Sequence, residues 1–98
     1  MDNTKMIDKL LLFGLSRQEA TIYMCLLRND ELTGYEVAKL TGISRSNVYN
    51  GLAALVENGA AYVKEGTSVK YVAVAIGEFC ENYIRCLQDS KDYLVLNE

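Results

Sequence analysis

The stretch from Thr33 to Gly59 limits this chain more than any other, because a short helical segment, a glycine and a longer helical segment follow one another without slack. Thr33-Gly34-Tyr35-Glu36 is a capping box, in which hydroxyl and carboxylate satisfy each other's orphan amides at a helix start. It opens a helix of about two turns that is expected to bury Val37, Ala38 and Leu40 before Gly42 stops it. After Thr41-Gly42-Ile43, Ser44 can cap a further helix running to Asn58, with Gly59 just beyond its end. Val48, Leu52, Leu55 and Val56 give that helix its core stripe. Ala38 is small where two helices must cross, Gly42 permits the backbone of the turn, and Val48 falls on the inner side. Those are the mechanics of a helix-turn-helix.

The flanks fill in the rest of a domain. Thr4 is the expected cap of a first helix with Met6, Ile7, Leu10 and Leu11 at helical spacing, ending near Gly14. Ser16-Arg17-Gln18-Glu19 is another capping box, stapled by Leu15 and Ala20, and Ala20, Tyr23, Met24 and Leu27 form one apolar face until Asn29-Asp30. Residues 61–64 and 70–74 are rich in β-formers, with Glu65-Gly66-Thr67-Ser68 as turn material, so a hairpin is predicted. Two strands alone are marginal, and these need the preceding helices beside them. From Ile76 onward Ile76, Cys80, Tyr83, Leu87, Ser90 and Leu94 step by four and three as in a coiled-coil seam, widened by Phe79, Cys86 and Tyr93. The expected fold is mainly α with a small β-hairpin: a winged helix-turn-helix over residues 1–75 and a long C-terminal helix over 76–98. That helix is expected to find no cover in its own chain, and a second copy would supply it.

With 98 residues there is room for one core. Histidine is absent, which removes the commonest general base and metal ligand, and no P-loop, dinucleotide glycine pattern or marked carboxylate pair replaces it. No catalytic residue, metal site or cofactor is therefore expected. Cys25, Cys80 and Cys86 form no C-x-x-C pair and leave an odd thiol, which fits a reducing cytoplasm and small buried hydrophobes rather than sensors. The apolar run Leu10-Leu11-Leu12-Phe13 is too short for a signal peptide or a membrane span, so a soluble, non-exported chain is expected. The net charge is −3, but residues 33–70 are the one net positive third, with Lys39, Arg45, Lys64 and Lys70 against Glu36, Glu57 and Glu65.

The ordered series of short motifs resembles a known family. Gly14-Leu15-Ser16-x-x-Glu19-Ala20-x-x-Tyr23-x-x-Leu26-Leu27 is followed by Ala38-x-x-Thr41-Gly42. Then come Val48-Tyr49-x-x-Leu52-x-x-Leu55-x-x-x-Gly59, Gly66 and Lys70-Tyr71. Over about residues 7–75 these are similar to the N-terminal DNA-binding domain of the TrmB family of transcriptional regulators. The resemblance implies a regulator of transcription, whose longer members usually continue into a sugar-binding effector domain; these residues point to no effector of their own.

In a helix-turn-helix the start of the second helix enters the major groove, with base contacts specifying and phosphate contacts positioning. With Val48, Leu52 and Leu55 inward, Ser46, Asn50, Ala53 and Glu57 point outward and Asn47 and Tyr49 lie on the flanks. Arg45, Ser46, Tyr49 and Asn50 are the candidates for base edges and neighbouring phosphates, Arg45 suiting guanine and Asn50 adenine. Tyr49 could equally close the core. Ser44 can offer its hydroxyl and nearby amides to a phosphate, and Lys64, Thr67, Ser68 and Lys70 of the hairpin suit the backbone or the minor groove. Ile76, Phe79, Cys80, Tyr83, Leu87 and Leu94 are the candidate dimer contacts. A homodimer of this kind predicts a palindromic double-stranded operator, recognition helix 44–58 in the major groove and wing 61–74 beside it. The alternative is a winged helix that holds protein instead of DNA, for which the near-neutral middle third speaks.

Overall fold

The computed structural model describes residues 3–98. Its order is α1 (Asn3–Leu11), α2 (Arg17–Leu27), α3 (Gly34–Thr41), α4 (Arg45–Glu57), β1 (Ala61–Lys64), β2 (Lys70–Ala73) and α5 (Ile76–Leu96). Helices α1 to α4 pack around α2, and the hairpin leans on α2 and α4. This is the winged helix-turn-helix that the punctuation of the sequence calls for.

The caps form as their chemistry demands. The Glu19 amide donates to Ser16 Oγ at 3.1 Å and the Ser16 amide to Glu19 Oε1 at 3.0 Å. At α3 the Glu36 amide donates to Thr33 Oγ1 at 3.1 Å and the Thr33 amide to Glu36 Oε1 at 2.8 Å. Gly42 ends α3 at φ 76°, left-handed backbone that any side chain with a Cβ would resist, and its amide closes on the Ala38 carbonyl. Helix α1 is described from Asn3, so Thr4 lies inside its first turn and not at the expected cap position.

Helix α2 is the core's axis. Ile22, Tyr23, Met24 and Leu26 are all buried, a sector of about half the circumference that is wider than the single apolar face that the sequence spacing indicates. Tyr23 is fully enclosed, and its hydroxyl donates to the Val74 carbonyl at 2.6 Å, tying α2 to the end of the hairpin. Burial, and after it the neighbouring Cys80, push that hydroxyl's pKa up to about 12. Gly51 of α4 is buried against α2, where a Cβ would stand 2.5 Å from Ile22 Cδ1, so the Ile22 side chain seats on bare α4 backbone with no room for a second side chain.

The strands pair antiparallel in the register Ala61↔Ala73 to Lys64↔Lys70. A third edge escaped the sequence pattern: Leu32, between α2 and α3, exchanges both backbone hydrogen bonds with Tyr71, at 3.1 and 2.7 Å. One residue cannot show an alternation, so no periodicity could announce it.

Three expectations about packing are corrected. Leu40 is 60% exposed, because the inner stripe of α3 runs through Gly34, Val37, Ala38 and Thr41 and Leu40 falls beside it. The long helix is not bare in its own chain. Phe79 is 1% exposed, its ring 5.6 Å from that of Tyr23, and Ile76 and Cys80 pack against the same core. Tyr83 meets Phe13 edge-on at 5.7 Å and lies over Gly14. Only beyond Tyr83 is α5 uncovered, with Ile84, Leu87, Tyr93, Leu94, Val95 and Leu96 all more than half exposed. Of the cysteines, Cys25 and Cys80 are half-buried and burial pushes both thiols up, whereas Cys86 is exposed and not the buried hydrophobe expected. No helix among the described residues is long and apolar enough to cross a membrane.

Candidate nucleic-acid interface

Helix α4 presents two faces with different histories. Val48, Gly51, Leu52 and Leu55 are sunk in the core and fix the helix axis, which leaves Arg45, Ser46, Asn47, Asn50 and Ala53 on the solvent side. Ser44 is the N-cap, its Oγ accepting from the Asn47 amide at 3.4 Å, and the amides of a first helical turn have no intrahelical partner. The Arg45 guanidinium lies over the ring of Tyr35 on α3, 5.5 Å from its centroid. A cation over an aromatic face is held by the ring quadrupole, so this arginine stands in a defined place beside the helix start. Tyr35 is itself 55% exposed, and the sequence reading passed it over because it lies on the other helix of the motif.

Tyr49 is partly packed and partly exposed. Its ring covers Gly34, where a Cβ would come within 2.4 Å of Tyr49 Cε1, yet the residue keeps 42% of its surface in solvent. It closes the α3–α4 junction and still reaches the outer face.

The hairpin gathers a second cluster. Lys64, Lys70, Thr67 and Ser68 share a hollow of about 140 Å³ at the root of the wing, together with Glu65, Gly66 and Glu31. Glu31 immediately precedes the bridging Leu32, so the Leu32–Tyr71 pairing brings its carboxylate to the two strands. Lys64 Nζ donates to Glu31 Oε2 at 2.9 Å and Lys70 Nζ to Oε1 at 3.2 Å. The hydrogen bonds from Lys64 and then Lys70 hold the Glu31 carboxyl below its ordinary range, and the same carboxylate raises Lys64. The wing lysines are thus not bare cations; each shares one acid. Glu31 was missed because its partners lie more than thirty residues away in sequence. Among the described residues no cluster of histidine, cysteine or carboxylate could hold a metal ion.

A capped helix-turn-helix, a polar outer face on its second helix and a lysine-bearing hairpin beside it define a winged helix-turn-helix domain of the transcription-regulator class. Residues 10–76 match the family described as the sugar-specific transcriptional regulator TrmB, and the chain belongs to that family. It is 38% identical over 77 residues to the uncharacterized protein YrhO of Bacillus subtilis, covering 79% of this chain and 28% of that protein. To the HTH-type sugar sensing transcriptional regulator TrmBL1 of Pyrococcus furiosus it is 30% identical over 70 residues, 71% of this chain and 20% of that one. The chain therefore spans less than a third of the length of these relatives. Among solved structures, that of TrmBL2, described as an archaeal chromatin protein with a novel mode of DNA binding, superposes with a TM-score of 0.92 at 26% identity, over 99% of this chain and 38% of that one. The adhesin competence repressor AdcR of Streptococcus pyogenes shares the fold at a TM-score of 0.58 and 16% identity, over 93% of this chain and 74% of that one.

Proposed function

We propose that this domain binds double-stranded DNA in a sequence-specific manner as a homodimer and so regulates transcription. Helix α4 enters the major groove, and the wing rests on the backbone or in the minor groove. The observation that carries the reading is the outer face of α4: Arg45, Ser46, Asn47 and Asn50 are exposed together at the start of a helix whose opposite side is locked in the core. Ala53 follows with no bulk to hold the helix off a groove, and Glu57 stands at the far end, where it repels no phosphate. DNA as the partner is also what the description of TrmBL2 supports.

Leu87 and Leu94, both more than half exposed on the outer part of α5, form the dimer seam with Ile84 between the core and Leu87. Ile76, Phe79, Cys80 and Tyr83 anchor the helix to its own domain and set the direction in which that seam leaves it. Two-fold symmetry gives an inverted repeat with half-sites about one helical turn apart or a multiple of it. Leu87→Asp converts the dimer to monomer in sedimentation; an unchanged oligomer contradicts this interface.

The test is selection of bound sequences from a random duplex pool at about physiological salt, where non-specific phosphate binding is weakened. An enriched inverted repeat is the expected result. A single enriched half-site contradicts the dimer, and no enrichment by folded protein turns the reading toward a protein-binding winged helix.

A further inference from the structure

The wing's hollow has the chemistry of a phosphate seat, with two ammonium groups and the hydroxyls of Thr67 and Ser68 around about 140 Å³, but a carboxylate already serves its lysines. Carboxylate and phosphate are anions that compete for the same donors. Glu31 is fixed at its backbone by the Leu32–Tyr71 pairing, while its side chain remains 30% exposed and those of Lys64 and Lys70 remain 63% and 39% exposed. Ion pairs this open to water are weak, so a phosphate can replace them at little cost. Glu65, on the tip of the same hairpin, makes no such ion pair among the described residues, which sets the two acids apart.

We propose, on the basis of the DNA-binding reading above, that Glu31 is a built-in competitor of the DNA phosphate. Its carboxylate holds Lys64 and Lys70 when the domain is free and gives them up only on contact with the backbone. The wing then contributes less to random duplex than two unshared lysines would, and a larger part of the affinity falls to the base contacts of α4. Glu31 is a specificity-determining residue that need not touch a base.

Random-sequence duplex suffices for the test, since phosphate contacts are indifferent to sequence. Binding of the full chain is measured by fluorescence anisotropy across a salt series for the parent, Glu31→Gln, Glu65→Gln and Lys70→Ala, with circular dichroism confirming the fold of each. Glu31→Gln is expected to bind roughly five- to tenfold tighter at about 0.1 M salt, with a salt slope steeper by up to about one, as one more effective cation meets the backbone. Glu65→Gln, an equal change in net charge on the same hairpin, is expected to give a clearly smaller gain. Equal gains from the two reduce the effect to net charge and overturn the proposal, as does weaker binding by folded Glu31→Gln, which makes Glu31 a brace for the wing. If the parent shows no salt-dependent duplex binding at all, the DNA-binding reading itself fails. If Lys70→Ala weakens binding while Glu31→Gln changes nothing, that reading stands and the competitor role alone is lost.

Discussion

The recognition helix and the wing stand side by side but are held by different physics. Helix α4 sinks Val48, Gly51, Leu52 and Leu55 into the core. Of the two strands only Ala61 is buried, and Tyr62, Val63 and Lys64 are exposed. The hairpin is tied down at points: the backbone pairing of Tyr71 with Leu32, the Tyr23 hydroxyl on Val74, and Glu31 between two lysines. A helix locked by packing keeps its outer side chains in one geometry, as reading base edges requires. A hairpin whose outer residues Tyr62, Val63 and Lys64 stand in solvent can adjust its side chains to a backbone whose phosphates are everywhere alike.

The contrast can be broken first at its strongest point. Leu52→Ala, in a fully buried site under α4, is expected to cost about 2–5 kcal/mol in urea unfolding, whereas Val63→Ala on the wing stays within about 0.5 kcal/mol. Similar losses at both sites would mean that the wing is part of the cooperative core. A smaller effect sharpens the contrast at the helix. Tyr35→Ala removes the ring beneath Arg45 and is expected to reduce discrimination between a selected site and random duplex by about 0.5–1 kcal/mol, with Tyr35→Phe close to the parent. A loss shared by the phenylalanine variant would assign the effect to the hydroxyl.

The smallest effect is one of pH. Glu36 is held below the ordinary carboxylate value of 4.5 by the Thr33 amide first and its hydroxyl second, and Glu31 by Lys64 and Lys70. Both pKa values are depressed in the folded chain, so their stabilisation is present above about pH 4.5 and is lost as pH falls through the folded values. The urea midpoint should decline below that pH, and less in Glu36→Gln than in the parent. A parallel decline would show that the cap does not couple to the pH dependence.

What the sequence discloses follows the range of its interactions. Both capping boxes, the left-handed glycine after α3 and the inner stripe of α4 are decided within a few residues, and they stand in the structure as the spacing indicates. The family resemblance was likewise legible, because the motifs that carry it are these same local devices in order. The misreadings are contacts between distant segments. The apolar spacing of α5 continues past Tyr83 to Leu87, so it could not reveal that Phe79 belongs to the core of its own chain while Leu87 does not. Nothing near Glu31 in the sequence marks it for the wing, to which the Leu32 bridge delivers it. Tyr35 became part of the candidate site only when α3 laid its ring beside the start of α4.

The division of labour between helix and wing is tested most directly by two substitutions measured on two DNAs. Arg45→Ala and Lys70→Ala are each titrated against a selected site and against random duplex of the same length and salt. Arg45→Ala is expected to lose about 1–3 kcal/mol on the selected site with little change on random duplex. Lys70→Ala is expected to weaken both alike, with the salt slope reduced by about one at most. Equal losses from Arg45→Ala on the two DNAs would contradict base reading by α4.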